Sequence, residues 1–186
     1  LKDQDVQVNN GKVWTWVQVK DDGTPERLAI TINDAAMNSV PVGGEGGHDM
    51  MENSYVLTFH PKASGTPFKH IWLNWNPAGH EPPGIYDLPH FDIHYYMISN
   101  AEREAMVNEK LDILPNASYF PTNYISPGPG VPQMGNHWLD VTSPELNGQT
   151  FDQTFIMGSY DSKVIFYEPM ITKAFLTGAN NYERSI

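Results

Sequence analysis

Apolar and polar positions alternate along much of this chain, in short runs bounded by glycine, proline, asparagine or aspartate. Alternation of this kind is typical of half-buried β-strands, because successive side chains of a strand point to opposite faces. The pattern predicts seven or eight strands rich in aromatic and β-branched residues. They cover residues 12–19, 27–33, 54–60, 68–76, 90–98, 136–141, 154–160 and 163–168.

The clearest helical signal follows the strand at 90–98. The run Ser99-Asn100-Ala101-Glu102 has the form of a capping box, and residues 100–111 are rich in good helix formers. A single helical turn is predicted at 35–40. Residues 43–48, rich in glycine, and 115–135, rich in proline, are expected to be irregular.

The last two strands are separated only by Asp161-Ser162, which predicts a tight hairpin. Pro169 is expected to end the second of them, because proline lacks the N–H that a strand ladder uses. Residues 170–176 can then form a helix or an edge strand.

These elements predict one mainly β domain over residues 1–186, with one short helix near 100–111. An antiparallel β-barrel or sandwich, cupin-like or lipocalin-like in outline, is the expected architecture. A barrel of about eight strands can hold a small ligand at its mouth. We therefore expect the functional site there.

Composition narrows the classes of partner. The net charge of −11 disfavours nucleic acid and anionic membrane surfaces, which repel an acidic protein. No apolar run approaches the roughly 20 residues that a membrane-spanning helix needs. The absence of cysteine excludes disulfides, thiolate metal sites and cysteine nucleophiles. A small-molecule ligand is the partner that remains.

Candidate chemistry concentrates in residues 79–96, which hold three of the seven histidines. Residues 77–88 form a stiff loop rich in glycine and proline, and connect the strands 68–76 and 90–98. If those strands pair as a hairpin, His80 lies at the same end of the sheet as His90. Along the second strand, His90, Asp92 and His94 share one face.

This convergence predicts a divalent transition metal, with zinc first, bound by His80, His90 and His94. Glu168 is the predicted fourth ligand, because a glutamate in a strand fit for burial needs a partner. Glu81 is predicted to be the acid–base group at the same site, a role that Asp92 can also fill.

One geometric objection applies to this set. The Cα atoms of His90 and His94 are about 13 Å apart on a regular strand, which is near the limit for two ligands of one ion. A bulge at Phe91-Asp92 would bring them closer, and Asp92 is otherwise the more natural second ligand. His137, which follows the proline-rich excursion, can complete the same shell. The alternative is that the histidines only bond backbone carbonyls and pack against tryptophans.

Two stretches resemble a family of uncharacterised bacterial proteins, whose prototype is a Thermus protein controlled by an extracytoplasmic-function sigma factor. They are the run from His80 to Tyr95 and the run from Gly158 to Thr172, within a similarity over roughly residues 50–180. The resemblance implies a mostly β fold, a periplasmic or extracellular location, and homo-oligomerisation. It implies no activity and no ligand set.

Two functions follow from the sequence. The first is a metal-dependent enzyme that acts on a small molecule. The second is a non-catalytic envelope or exported protein that binds a small hydrophobic or aromatic ligand, or assembles as a structural homo-oligomer. The five tryptophans and nine tyrosines suit the second function, because aromatic side chains are common in ligand pockets and subunit interfaces.

Overall fold

The computed structural model describes residues 1–43, 52–107, 109–179 and 181–185. These residues form short helices and two antiparallel sheets. The strands are β1 (Val6–Val8), β2 (Gly11–Val19), β3 (Pro25–Ile32), β4 (Ser54–Thr58), β5 (His70–Asn76), β6 (His90–Tyr96), β7 (Tyr124–Ile125), β8 (Asn136–Asp140), β9 (Gln153–Tyr160) and β10 (Lys163–Thr172). The α-helices are α1 (Asp34–Ser39), α2 (Asn100–Glu104) and α3 (Lys173–Gly178).

The small sheet has the order β1-β2-β3, and the large sheet has the order β4-β5-β6-β10-β9-β8-β7. The prediction of a mainly β fold is confirmed. Of the two predicted architectures, the structure is a sandwich, because β4 and β7 lie at opposite ends of the large sheet and do not pair to close it. No barrel mouth is therefore present among the described strands.

The predicted hairpins are present. β5 pairs with β6, and this register places Trp72 beside His94, Asn74 beside Asp92, and Asn76 beside His90. β9 pairs with β10 through Asp161 and Ser162, which both have positive φ, at 47° and 64°. Two successive positive φ angles are what a tight hairpin turn of this hand requires.

Helix α2 begins as predicted, with both hydrogen bonds of the capping box between Ser99 and Glu102. It ends at Glu104, earlier than the predicted 111. Met106 turns into a buried apolar cluster, and its carbonyl accepts the N–H of Gln133 at 2.8 Å. Burial of Met106 and its backbone hydrogen bond to Gln133 therefore take the place of another helical turn.

Two other predicted segments have different outcomes. The helical turn at 35–40 is present as α1, capped by the side chain of Asn33. The irregular segment predicted at 43–48 falls mostly on residues 44–51, outside the described residues. Among the described residues, no helix is long and apolar enough to span a membrane.

Strand β10 does not end at Pro169, as its sequence suggested, but continues to Thr172, where α3 follows. The ladder to β6 pairs Tyr167 with Tyr95 and Met170 with Asp92, and Pro169 lies between these pairs. The opposite ladder, to β9, includes Pro169, paired with Phe155. Proline is tolerated here because its missing N–H costs one position of one ladder.

The two sheets enclose the main apolar core. Apolar side chains from both sheets and from α1 meet there with almost no exposed surface, which is the usual source of stability in a sandwich. The buried members of this core are Val8, Val13, Ala36, Val40, Leu57, Ile71, Leu73, Trp75, Phe91 and Ile93.

The other face of the large sheet is also covered. Met106, which follows α2, and Met134 of the proline-rich segment 115–135 pack on Trp72 and Phe166 at one end of this face. At the other end, Tyr86 of the loop between β5 and β6 packs with Phe151, Ile156 and Met170. The polar side chains of the face lie between these two apolar clusters.

Candidate metal centre

β6 brings three potential metal ligands to the covered face of the large sheet. His90, Asp92 and His94 alternate with Phe91 and Ile93, which point into the core between the sheets. All three polar side chains are at most 1% exposed. Strand alternation therefore produces a buried row of imidazole, carboxylate and imidazole.

The first group of ligand atoms, which we call the Asp92 set, consists of His80, His90 and Asp92. Nε2 of His80 lies 3.3 Å from Oδ2 of Asp92, and Nε2 of His90 lies 3.1 Å from Oδ1. The Asp92 carboxylate also accepts the side-chain N–H of Asn76 at 2.8 Å. This bond fixes the carboxylate with both oxygens directed at the histidines.

The loop between β5 and β6 positions His80. Gly79 has φ of +76°, and a Cβ atom there would lie 2.1 Å from the carbonyl oxygen of Tyr86. The same carbonyl accepts the backbone N–H of His80 at 3.1 Å. Glycine is required at this close approach, which turns the His80 ring to within 4.7 Å of the His90 ring.

The second group, which we call the Glu168 set, consists of His94, His137 and Glu168. Nε2 of His94 lies 3.3 Å from Oε1 of Glu168, and Nε2 of His137 lies 3.9 Å from Oε2. The strands β6, β10 and β8 supply one residue each, and β9 lies between the last two. Within each set, every ligand atom lies within 4.8 Å of the others.

A glycine in β9 makes room for the side chain that packs against the histidines of the Glu168 set. Gly158 of β9 pairs with His137 on one side and with Phe166 on the other. A Cβ atom at this position would lie 2.0 Å from the Phe166 ring. Because glycine leaves this space open, the ring lies over β9 and contacts both His94 and His137, at 5.0 and 5.6 Å between centroids.

Backbone carbonyls set the tautomers of three histidines. Nδ1 of His80 lies 2.6 Å from the carbonyl oxygen of Glu81, and Nδ1 of His90 lies 2.6 Å from that of Leu88. Nδ1 of His94 lies 3.3 Å from the carbonyl oxygen of Trp72. A carbonyl can only accept, so Nδ1 carries the proton in each ring. This tautomer directs Nε2 of each ring at its set, an arrangement common among metal-binding histidines.

Four of these buried atoms have no hydrogen-bond partner: Nε2 of His90, Oδ1 of Asp92, Nε2 of His94 and Oε2 of Glu168. Each unpaired buried polar atom costs about 1–3 kcal/mol. In each set an imidazole nitrogen faces a carboxylate with no donor between them. One cation bound in each set would satisfy all four atoms.

The spacing of the ligand atoms suits a transition metal. Tetrahedral ligands at about 2.0–2.1 Å from a zinc ion lie roughly 3.3–3.4 Å from one another. The histidine–carboxylate separations in the two sets run from 3.1 to 3.9 Å, and every ligand atom of a set lies within 4.8 Å of the others. Each set also has the composition of two histidines and one carboxylate, which occurs at catalytic zinc sites and at non-haem iron sites.

Burial controls protonation in the Glu168 set. It lowers the pKa of His94 to about 3 and, together with the nearby His80, the pKa of His137 to about 4. Both rings are therefore neutral at pH 7, the form that binds metals. Burial raises the pKa of Glu168 well above its ordinary value, and the charge of Asp92 raises it further.

The Asp92 set has the opposite balance. Burial opposes the charge on Asp92, but His90 and His80 outweigh it and hold the pKa of this carboxyl well below its ordinary value. Burial likewise opposes the charge on His80, yet Asp92 raises the pKa of that imidazole above 6.5. Without a metal, this set therefore resembles an ion pair.

Each set has one ligand with access to solvent. The side chains of His80 and His137 are 32% and 23% exposed, whereas the other four ligands are at most 3% exposed. An ion can therefore reach each set from the surface, past one partly exposed imidazole.

The structure divides the four residues that were predicted to bind one ion. His80 and His90 belong to the Asp92 set, whereas His94 and Glu168 belong to the Glu168 set. The reason is the strand repeat, which separates His90 from His94 with Asp92 between them. The side chain of Glu81 is exposed and belongs to neither set, although its carbonyl orients His80.

The predicted ligand set omitted two members of these groups. Asp92 appeared only as an acid–base group or an alternative ligand, and its position between two histidines on one face is the signal that identifies it. His137 appeared only as a residue that could complete the shell. Its place beside β9 depends on the order of the strands, which local sequence does not give.

No protein-family model, curated protein or solved structure matches this chain.

Proposed function

We propose that this protein is a metal-dependent enzyme that acts on a small molecule, with a divalent transition metal ion, zinc first, in each of the two sets. The observation that carries this proposal is the group of unpartnered, buried nitrogen and carboxylate atoms directed at two common points. Structural histidines are expected to satisfy their second ring nitrogen, and His90 and His94 do not.

Each set supplies three protein ligands, which leaves a coordination position for water or substrate. A zinc ion with an open position acts as a Lewis acid, or lowers the pKa of a bound water molecule to about 7. The chain's own contribution is to fix the imidazole tautomers through the carbonyls of Glu81, Leu88 and Trp72, and to keep the ligands in an apolar enclosure.

Glu81 is the predicted acid–base group of this proposal. It follows His80 directly, and its charge helps to raise the pKa of that ring. Its side chain is exposed, and an exposed carboxylate can exchange protons with water.

Elemental analysis of the purified protein tests metal binding. We expect stoichiometric zinc or another transition metal, reduced in His90→Ala and in His94→Ala and retained in the matched variant His60→Ala. His60 lies outside both sets and caps a short helical turn. Hydrolysis of p-nitrophenyl acetate and p-nitrophenyl phosphate, with and without chelator, then tests catalysis. Absence of metal after reconstitution with zinc would refute the proposal.

An aromatic groove on the other face of the large sheet favours the non-catalytic alternative as a second candidate. Its volume is about 480 Å³, and its lining includes Phe68, Tyr95, Phe155 and Tyr167. Adjacent rings lie 5.8–5.9 Å apart, a spacing typical of interacting aromatic pairs. A planar hydrophobic molecule suits this surface. Binding of a hydrophobic fluorescent dye, weakened in Tyr167→Ala and unaffected by chelator, would support this function.

The exported location and the homo-oligomer implied by the family resemblance stay predictions. Fractionation of the producing cell and light scattering of the purified protein test them directly. Neither is needed for the chemistry proposed above.

A further inference from the structure

The two sets are neighbours on one strand. β6 contributes Asp92 to one set and His94 to the other, and these are consecutive side chains on the same face. Their Cα atoms are about 6.8 Å apart on a regular strand. No other side chain of β6 lies between them on that face, so the open coordination positions of two bound ions would border the same space.

We propose that the two sets form one dinuclear centre, which binds a small oxyanion through one oxygen on each ion. The oxyanion is a carboxylate or a phosphate group, because both offer two oxygens in a fixed geometry. This inference rests on the proposed function, since it requires both sets to hold metal. It names the chemical class of group that the substrate carries.

Charge balance favours an anion. Two divalent ions bring four positive charges, and the carboxylates of Asp92 and Glu168 offset two of them. The histidines are neutral ligands and offset none. Phe166 and Met170 are fully buried on the same sheet face, and neither side chain has a group that can solvate the excess charge. Bound ions are then the dominant local charges and attract an oxyanion.

Tyr86 supplies a hydrogen-bond donor beside this space. Its side chain is 2% exposed, and its hydroxyl has no hydrogen-bond partner. The ring lies 5.8 Å from the ring of His80, and 5.0 Å from that of Phe151. A phenol buried without a partner costs free energy unless a ligand or water accepts its proton. An oxyanion held by the two ions is such an acceptor.

The electrostatics at Tyr86 agree with this role. Burial raises its pKa, and the carboxylates of Glu145, Glu168 and Asp92 raise it further. The last two belong to different sets, so the phenol is within electrostatic reach of both.

Metal stoichiometry provides the first test. Calorimetric titration with zinc should give two ions per chain, one in His80→Ala and one in His137→Ala, with two retained in His60→Ala. The two ligand variants replace the partly exposed members of the sets, which limits the damage to packing. Copper(II)-loaded wild type should show the half-field electron paramagnetic resonance signal of two close ions. Both one-ion variants should lose it.

Anion binding provides the second test. Inorganic phosphate and acetate are titrated separately into zinc-loaded protein from which free zinc has been removed, and the tighter of the two identifies the preferred oxyanion. We expect affinity to fall about tenfold or more in either one-ion variant. Tyr86→Phe should keep both ions and lose about tenfold in affinity, because it removes one donor to a charged group.

The outcomes separate this inference from the proposed function. Absence of bound metal refutes the proposed function itself. Three results would overturn the dinuclear centre alone, provided that two ions bind. They are the absence of the half-field signal, equal anion affinity in the wild type and the one-ion variants, and no binding of either anion. Unchanged affinity in Tyr86→Phe overturns the role of the phenol.

Discussion

Nε2 of His90 lies 3.1 Å from Oδ1 of Asp92, and neither atom has a hydrogen-bond partner. Two lone pairs at this distance repel each other unless a proton or a metal ion lies between them, and a metal ion can also bind His80. We therefore expect zinc to raise the melting temperature and chelator to lower it. A ligand at 100 times its dissociation constant stabilises the native state by about 2.7 kcal/mol.

Differential scanning calorimetry of wild type, His90→Ala and His60→Ala checks this first prediction. The stabilisation by zinc should be reduced in His90→Ala and unchanged in His60→Ala. Equal melting temperatures with zinc and with chelator would contradict it.

Glu168→Gln should separate stability from metal binding. The raised pKa of Glu168 means that the folded protein holds this proton more tightly than the unfolded chain does. Its contribution to stability is therefore complete below the ordinary pKa of 4.5 and is lost as pH rises through the folded value. Glutamine keeps the shape and never ionises.

At pH 8, metal-free Glu168→Gln should be about 1–3 kcal/mol more stable than metal-free wild type, because glutamine removes the penalty that the raised pKa places on the folded state at this pH. In the presence of zinc this order should reverse. Urea unfolding with chelator and with zinc measures both differences. A variant less stable than wild type under both conditions would show that Glu168 has a purely structural role.

Acid should destabilise the metal-free protein through two buried histidines. His94 and His137 have folded pKa values of about 3 and about 4, below their ordinary value of 6.5. Both rings are neutral when folded and protonate when the chain unfolds. Stability is therefore complete above pH 6.5 and falls as pH decreases toward the folded values.

Each such histidine contributes a slope of up to about 1.4 kcal/mol per pH unit. We expect His137→Gln to reduce the slope between pH 6.5 and 5 by about one such contribution. His80, whose pKa is raised, acts above this range: its contribution is complete below pH 6.5 and is lost as pH rises through the folded value. His80→Gln should therefore change the slope above pH 6.5 and leave the fall between pH 6.5 and 5 nearly unchanged. Urea unfolding at several pH values with chelator gives these slopes. Identical slopes in wild type and His137→Gln would refute the assignment.

Gly158→Ala should be destabilising by about 1–3 kcal/mol, because its Cβ would meet the Phe166 ring at 2.0 Å. The ring can yield only by moving against His94 and His137, so zinc binding to the Glu168 set should weaken as well. Gly178→Ala is the matched control, since nothing lies within 4 Å of its Cβ position. Urea unfolding and zinc titration of the two variants check the prediction. Similar values for both would mean that the ring moves freely.

Local pattern predicts much of this fold. The alternation along β6 indicated that His90, Asp92 and His94 share a face, and the hairpin with β5 placed His80 beside His90. These relations involve neighbours in sequence, or strands joined by one loop. The side-chain period of two therefore suffices to predict them.

Relations between distant strands are not contained in the local pattern. His137 joins the Glu168 set because β8 lies next to β9, and β9 next to β10. The choice of a sandwich over a barrel depends on the same strand order. The course of β10 through Pro169 was also missed, since proline usually ends a strand and only the pairing partners decide whether it is tolerated.

The two sets differ in how firmly their outermost histidine is anchored. His137 belongs to a strand that is paired with β9, whereas His80 belongs to the loop between β5 and β6. Local opening of a loop requires far less free energy than unzipping a sheet. When chelator is added to the protein with both ions bound, the ion of the Asp92 set should consequently be lost in a fast phase. The ion of the Glu168 set should be lost in a slow phase. The protein would thus hold one ion that exchanges quickly with solution and one that exchanges slowly.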